Sequence, residues 1–207
     1  MLIALFGIPA ITTLHRILAH DPTASGGIVG REVGILLVTG LLLWIVTKEE
    51  KLPLSSVGLR TDRLGRSLAW GVGLAVVCLA AAVGCLAIYG AMGIHYGEGQ
   101  AISRTLPVTT LAVIRAGISE EVLYRGYAIE RLQALTGSKW IAAGISLILF
   151  AAFHFRQGLA GVVLAFVLGS ILTAFYLWKR NLVANIVGHF LVDFIPNVLL
   201  VGLGLVK

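Results

Sequence analysis

Residues 67–94 run through 28 positions without one Asp, Glu, Lys or Arg. A helix rising ~1.5 Å per residue needs ~20 mostly apolar residues to cross a hydrocarbon core of ~30 Å. Such a run has no place in a water-soluble fold of this size, and it is not alone. Apolar runs also cover 2–18, 28–47, 106–133, 140–155, 159–178 and 182–206. The first is the weakest, because it contains Pro9, His15 and Arg16. The expected fold is therefore all-α, a polytopic transmembrane bundle of about seven spans, or eight if the long third run divides, around an intramembrane polar cavity. Composition agrees: 58% of the 207 residues are hydrophobic and 13% charged, against ~25% charged in soluble domains.

Within that framework other features read simply. The formal charge of +6 comes from basic residues scattered between apolar runs, as in loops facing an anionic membrane surface, so nucleic acid is not an expected partner. Cys78 and Cys85, seven residues apart on one helix, put their Cα atoms ~10 Å apart, beyond disulfide reach. The first run lacks a basic n-region and a small-residue cleavage site, so it reads as a retained helix. The connections after the second, fourth and sixth runs carry Lys48, Lys51, Arg60, Arg63, Arg66, Arg131, Lys139, Lys179 and Arg180. The opposite connections carry Arg16, Arg104, Arg156 and Lys207, with Arg31 near one end. The positive-inside rule then places the N-terminus and the richer loops in the cytoplasm. The segment between the second and third runs reads as an interfacial connection broken by Pro53. No feature of the sequence sets an oligomeric state.

Polar residues inside the runs stand out against this background. Setting loop charges aside leaves Arg115, Glu120, Glu121, Arg125, His154, His189 and Asp193. A charge at a helix centre costs ~2.5–3.5 kcal/mol on insertion scales, so each must face protein or a wet cavity. Glu121 and Arg125 are four apart with the acid first, the better order for a helical ion pair. Glu120 is rotated ~100° away and shares a stripe with Tyr124 and Tyr127. The adjacent acids are expected to divide tasks, Glu121 held by Arg125 and Glu120 free for chemistry. Phe150 with His154, and His189 with Asp193, repeat the four-residue spacing. Counted from the proposed cytoplasmic helix ends, these groups fall in one slab ~12–21 Å deep. A shared depth on three helices points to one convergent site, although each pair alone could be a structural contact. Arg115 gets no role here beyond snorkelling or pairing.

Carboxylates and histidines gathered in an apolar site suit the activation of water. Ser119 has no histidine positioned to activate it, and HExxH is absent. A zinc site made by Glu120, His154 and His189 is chemically possible; the expectation is no cofactor, with zinc as the alternative.

Three motifs in order carry a resemblance: "EEVLYRG" at 120–126, "FAAFHFRQG" at 150–158 and "FVLGSILTAFYLWKRNLVANIVGHFLVD" at 166–193. They resemble the EExxxR, FxxxH and HxxxN/D motifs of the CAAX-protease and bacteriocin-processing (CPBP or Abi) family, the type II CAAX prenyl endopeptidases. The likeness covers roughly 107–200. It divides a single membrane domain, 1–207, into variable N-terminal helices, 1–105, and catalytic core helices, 106–207. The resemblance implies an intramembrane endopeptidase of the bacterial plasma membrane, with a cavity open to the cytoplasm and a peptide or membrane-protein substrate. It implies Glu120 as general base on a water shared with His154. Glu121 and Arg125 would order the motif, and His189 with residue 193 would stabilise an oxyanion. Asp193 replaces the Asn of the prenyl proteases and so is either protonated or orients His189. Tyr124 replaces a frequent Phe and would add a hydroxyl near Glu120. A non-catalytic regulator or bacteriocin-immunity relative is the alternative, and a proton-coupled transporter has little support without repeat symmetry.

Overall fold

The computed structural model describes residues 1–61, 63–94, 96 and 105–206. Arg104 and Lys207, counted above among the basic residues, lie outside the described residues. Every regular element among the described residues is helical. The helices are α1 (Leu2–Leu18), α2 (Ser25–Lys48), α3 (Leu64–Ala91), α4 (Leu106–Arg115), α5 (Glu130–Thr136), α6 (Lys139–Ala152), α7 (Gly158–Lys179), α8 (Leu182–Phe194) and α9 (Leu200–Gly202). A π-helical segment, Ala116–Ile129, joins α4 to α5, and a second, Ile195–Leu199, joins α8 to α9.

Among the described residues, four stretches are long and apolar enough to cross a membrane: Ser25–Lys48, Leu64–Ala91, Lys139–Lys179 and Leu182–Gly202. The third is 41 residues long, about twice one crossing, and it doubles back. A 3-10 turn, Phe153–Gln157, and Gly158 at φ 72° let α7 pack against α6. The first helix, with 17 residues, is shorter than the four, and residues 106–136 carry six charged side chains. Large apolar side chains such as Val72, Val76, Val83, Ile148 and Phe166 stay exposed on the outside. Apolar surface on that scale fits lipid, not water.

The centre of the bundle is the Ala116–Ile129 segment. Twelve of its 14 residues are buried, and the two exceptions are Ile118 and Glu120. It packs against α1, α2, α6 and α8, so a segment carrying Glu120, Glu121 and Arg125 is also closely enclosed. Close approach comes from glycine. A Cβ on Gly117 would sit 3.0 Å from Phe190 Cβ, and one on Gly71 only 2.6 Å from Val187 Cβ. Small residues of this kind let membrane helices approach backbone to backbone. They seat α8 between α3 and the central segment.

The basic loops gather at one end. Leu182 N donates to Gly58 O at 2.9 Å, Arg180 pairs with Glu130, and Glu50 in the loop after α2 pairs with Arg131. The connection after α2 is thus docked on the core, with Val57 fully buried.

Candidate active site

The site begins with the backbone of the central segment. Its hydrogen bonds close five residues apart instead of four, the mark of π geometry, which occurs often at functional sites. In an α-helix, residues 115 and 120 would lie ~140° apart. The widened turn brings them to one side, and Arg115 Nη1 donates to Glu120 Oε1 at 2.9 Å. Tyr124 OH donates to Leu5 O at 3.2 Å and Tyr127 OH to Glu50 Oε1 at 2.9 Å. The Tyr124 hydroxyl thus spends its hydrogen on α1.

Glu121 is fully buried and accepts from two helices. Arg125 Nη1 lies 2.8 Å and His189 Nδ1 2.7 Å from its Oε1, and Asn185 Nδ2 donates to Oε2 at 3.1 Å. Arg125 is seated further by Gly169 O at 3.3 Å and by the Phe150 ring, 4.1 Å from its guanidinium carbon. Phe150 also stands against both histidines, its ring centroid 5.0 Å from His154 and 6.4 Å from His189. One aromatic ring thus spaces the two imidazoles.

With Nδ1 committed to Glu121, His189 turns Nε2 toward Glu120 Oε2 at 3.9 Å and Asp193 Oδ2 at 3.6 Å. The group orienting the imidazole through Nδ1 is Glu121, so Asp193 does not hold that position; it sits at the other nitrogen. His154 Nδ1 lies 2.9 Å from Phe150 O, which leaves Nε2 for other partners. Glu120, His154, His189 and Asp193 all line one cavity of about 830 Å³, whereas Glu121 and Arg125 stand behind it. Ser119 is fully buried, and its Oγ has no hydrogen-bond partner among the described residues.

Glu120, Cys78 and Leu172 line the cavity from within their helices, and a rim of Tyr96, Leu106, Gln157, Asn197 and Val201 lines it at or near helix ends. The rim residues belong to the helix ends opposite the basic loops, and Tyr96 OH closes on Gln157 Oε1 at 3.0 Å there. Part of the cavity lining thus lies at the end of the bundle opposite the basic loops. His154, counted inward from Trp140, reaches the far end of α6.

Two residues escaped the reading by sequence, and a third, Arg115, takes the pairing that was left open beside snorkelling. Glu32 on α2 is fully buried and accepts from Arg31 and Arg115. Asn185, four residues before His189, shares its face and binds Glu121. Arg115 is not a snorkelling side chain but a bridge between Glu32 and Glu120. For a metal, the residue types of Glu120, His154 and His189 suit zinc. Among the described residues, however, no three His, Cys, Asp or Glu side chains are gathered into a metal-ligand set.

Comparison with curated proteins and with solved structures gave no match. A family comparison did: residues 102–195 match the family described as type II CAAX prenyl endopeptidase Rce1-like. That stretch spans the central segment, both histidines and Asp193, and its match agrees with the three motifs and with the apolar helices of an integral membrane protein. Residues 102–195 are thus similar to the Rce1-like type II CAAX prenyl endopeptidases, a family of proteases.

Proposed function

We propose that this chain is an intramembrane endopeptidase in which Glu120 activates a water for attack on a peptide carbonyl. One observation carries the reading: Glu120 is the charged residue of an otherwise buried central helix that reaches the same cavity as His154, His189 and Asp193. Water held between Glu120 and His154 would lose a proton to the Glu120 carboxylate as its oxygen bonds to the carbonyl carbon. The tetrahedral oxyanion would take a hydrogen bond from His189 Nε2, and the proton on Glu120 would pass to the leaving amine. Glu121 and Arg125 hold His189 and the central helix in place. Asp193 lies on the Nε2 side of His189, where, ionised, it would steady an imidazolium and oppose the oxyanion.

The reading keeps the chain as one membrane domain crossing seven times, with 106–207 as the catalytic core and a peptide or membrane-protein segment as substrate. It keeps the N-terminus and basic loops in the cytoplasm, because loop charge is the stronger guide to orientation. The rim of the cavity then faces away from the cytoplasm. The scheme needs no metal. In the zinc alternative, Glu120, His154 and His189 would hold an ion that acidifies water.

The test is cleavage of a quenched peptide library by purified protein in detergent. Glu120→Gln should lower turnover by at least ~10²-fold, the scale of a lost general base. A wild type that cleaves nothing, or a Glu120→Gln protein that cleaves as well, overturns the peptidase reading and favours the regulator or immunity reading. Activity that survives exhaustive chelation removes zinc from the scheme.

A further inference from the structure

Glu32 belongs to a different helix from every motif residue and does not line the cavity, yet it is fully buried. Its two oxygens are divided: Arg31 Nε donates to Oε1 at 3.0 Å and Arg115 Nε pairs with Oε2. Arg115 then turns the other side of its guanidinium to Glu120, donating from Nη1 to Oε1 at 2.9 Å. That leaves Glu120 Oε2 as the oxygen facing His189 Nε2, 3.9 Å away. Polar groups at such a separation have room for a bridging water.

We propose that Glu32 and Arg115 are positioning residues for Glu120, a buried relay from α2 that fixes which carboxylate oxygen meets the water. This rests on the peptidase reading above. The physical need is clear. An arginine has long, freely rotating side-chain bonds, and a planar fork aims its donors only when its other edge is anchored. Glu32 is that anchor. Arg31 on the far oxygen satisfies Glu32 and keeps it from competing for more of Arg115. Without Glu32, Arg115 could swing and take both oxygens of Glu120, removing the acceptor that the water requires. A plain packing staple between α2 and α4 would alter stability and leave turnover alone.

The experiment compares wild type, Glu32→Gln, Arg115→Lys, Arg115→Met and the double variant Glu32→Gln/Arg115→Met, each as the full chain in detergent. Glu32→Gln and Arg115→Met should lower kcat by about 10²-fold, the cost of a reacting group misplaced by ~1 Å, with KM little changed. Arg115→Lys, which keeps the charge but loses the two-edged fork, should recover part of the loss. The double variant should be no slower than Arg115→Met, because Glu32 acts only through Arg115. Additive losses, or a folded Glu32→Gln protein with wild-type kcat, overturn the proposal. A second measurement does not depend on activity: modification of Glu120 by an apolar carbodiimide, read by mass spectrometry. Both single losses of the relay should change the labelling of Glu120, and unchanged labelling also overturns the proposal. If wild type cleaves nothing while labelling responds, the peptidase reading fails and the relay stands as a structural device holding Glu120.

Discussion

Glu121 and Glu120 are neighbours in sequence with opposite surroundings. Glu121 takes hydrogen bonds from Arg125, His189 and Asn185 in full burial, so it works as a joint between the central segment and α8. Breaking a buried pair by removing one partner costs ~3–5 kcal/mol, because the remaining charge stays buried. Glu121→Gln should therefore lower thermal stability in detergent by about that amount, with Arg125 left unpaired. Asn185→Ala, which removes one neutral donor, should cost less, on the order of 1–2 kcal/mol. Equal stability of all three proteins would show that the joint contributes nothing. The pairing of Glu121 with Arg125 was legible in the sequence, because they stand at the spacing of a helical ion pair. What Glu120 touches was not. Its partner Arg115 is five residues away, a spacing that a 3.6-residue helix puts on another face, and no residue pattern announces a π turn. Glu32 was hidden for a different reason. Beside Arg31 near the start of an apolar run it reads as one more helix-end charge, and its burial depends on a partner 83 residues away.

Among elements, α8 matters most, because it carries His189, Asn185 and Asp193 and is held by contacts that tolerate no side chain on the facing glycine. At Gly71 a Cβ would meet Val187 Cβ at 2.6 Å and Ala184 O at 3.0 Å, and backbone cannot step aside as a flexible side chain can. Gly71→Val should push α8 from α3, costing ~1–3 kcal/mol as overpacking does, and should depress cleavage with it, since His189 moves. Thermal unfolding and turnover measured together check this; a stable, fully active variant would mean that α8 is not seated by that contact. A different tie holds the basic end. Hydrogen bonds from Arg131, with help from the Tyr127 hydroxyl, hold the Glu50 carboxyl below its ordinary value of 4.5. A folded value lower than the unfolded one stabilises fully above about pH 4.5 and is lost as pH falls through the folded value. The melting temperature of wild type should exceed that of Glu50→Gln at pH 7, and the gap should shrink as acid titrates the folded carboxyl below its ordinary value. A gap that persists in acid would exclude the ion pair as its source. The helices themselves were visible in the runs of apolar residues, and so was a break near Arg156 between two of them; the 3-10 form of the turn at Phe153–Gln157 was not. It lies within an apolar stretch and is set by Gly158 and by packing of α7 on α6, neither of which disturbs hydropathy.

At the scale of the whole molecule, loop charge and cavity direction have to be read together. Basic side chains cluster at the end where Gly58, Arg131 and Arg180 meet, and the cavity rim of Tyr96, Leu106, Gln157 and Asn197 stands at the other. Loop charge alone suggested a cytoplasmic N-terminus, and the family likeness alone suggested a cytoplasmic mouth; the fold sets several cavity-lining residues at the end opposite the basic loops. If the positive-inside rule governs this chain, substrate enters from the non-cytoplasmic face. The prediction can be read from single cysteines in a background lacking Cys78 and Cys85, both free thiols. A cysteine at Ser55, in the basic loop, and one at Gln157, on the rim, would be exposed to a membrane-impermeant maleimide on intact cells and on inverted membranes. The rim position should label from outside intact cells and the loop position only after inversion. Prior incubation with a cleavable peptide should protect the rim position and leave the loop position unchanged. The reverse labelling pattern would turn the molecule over, put the basic loops outside and give the mouth to the cytoplasm, where a lipid-modified C-terminal tail becomes the natural substrate.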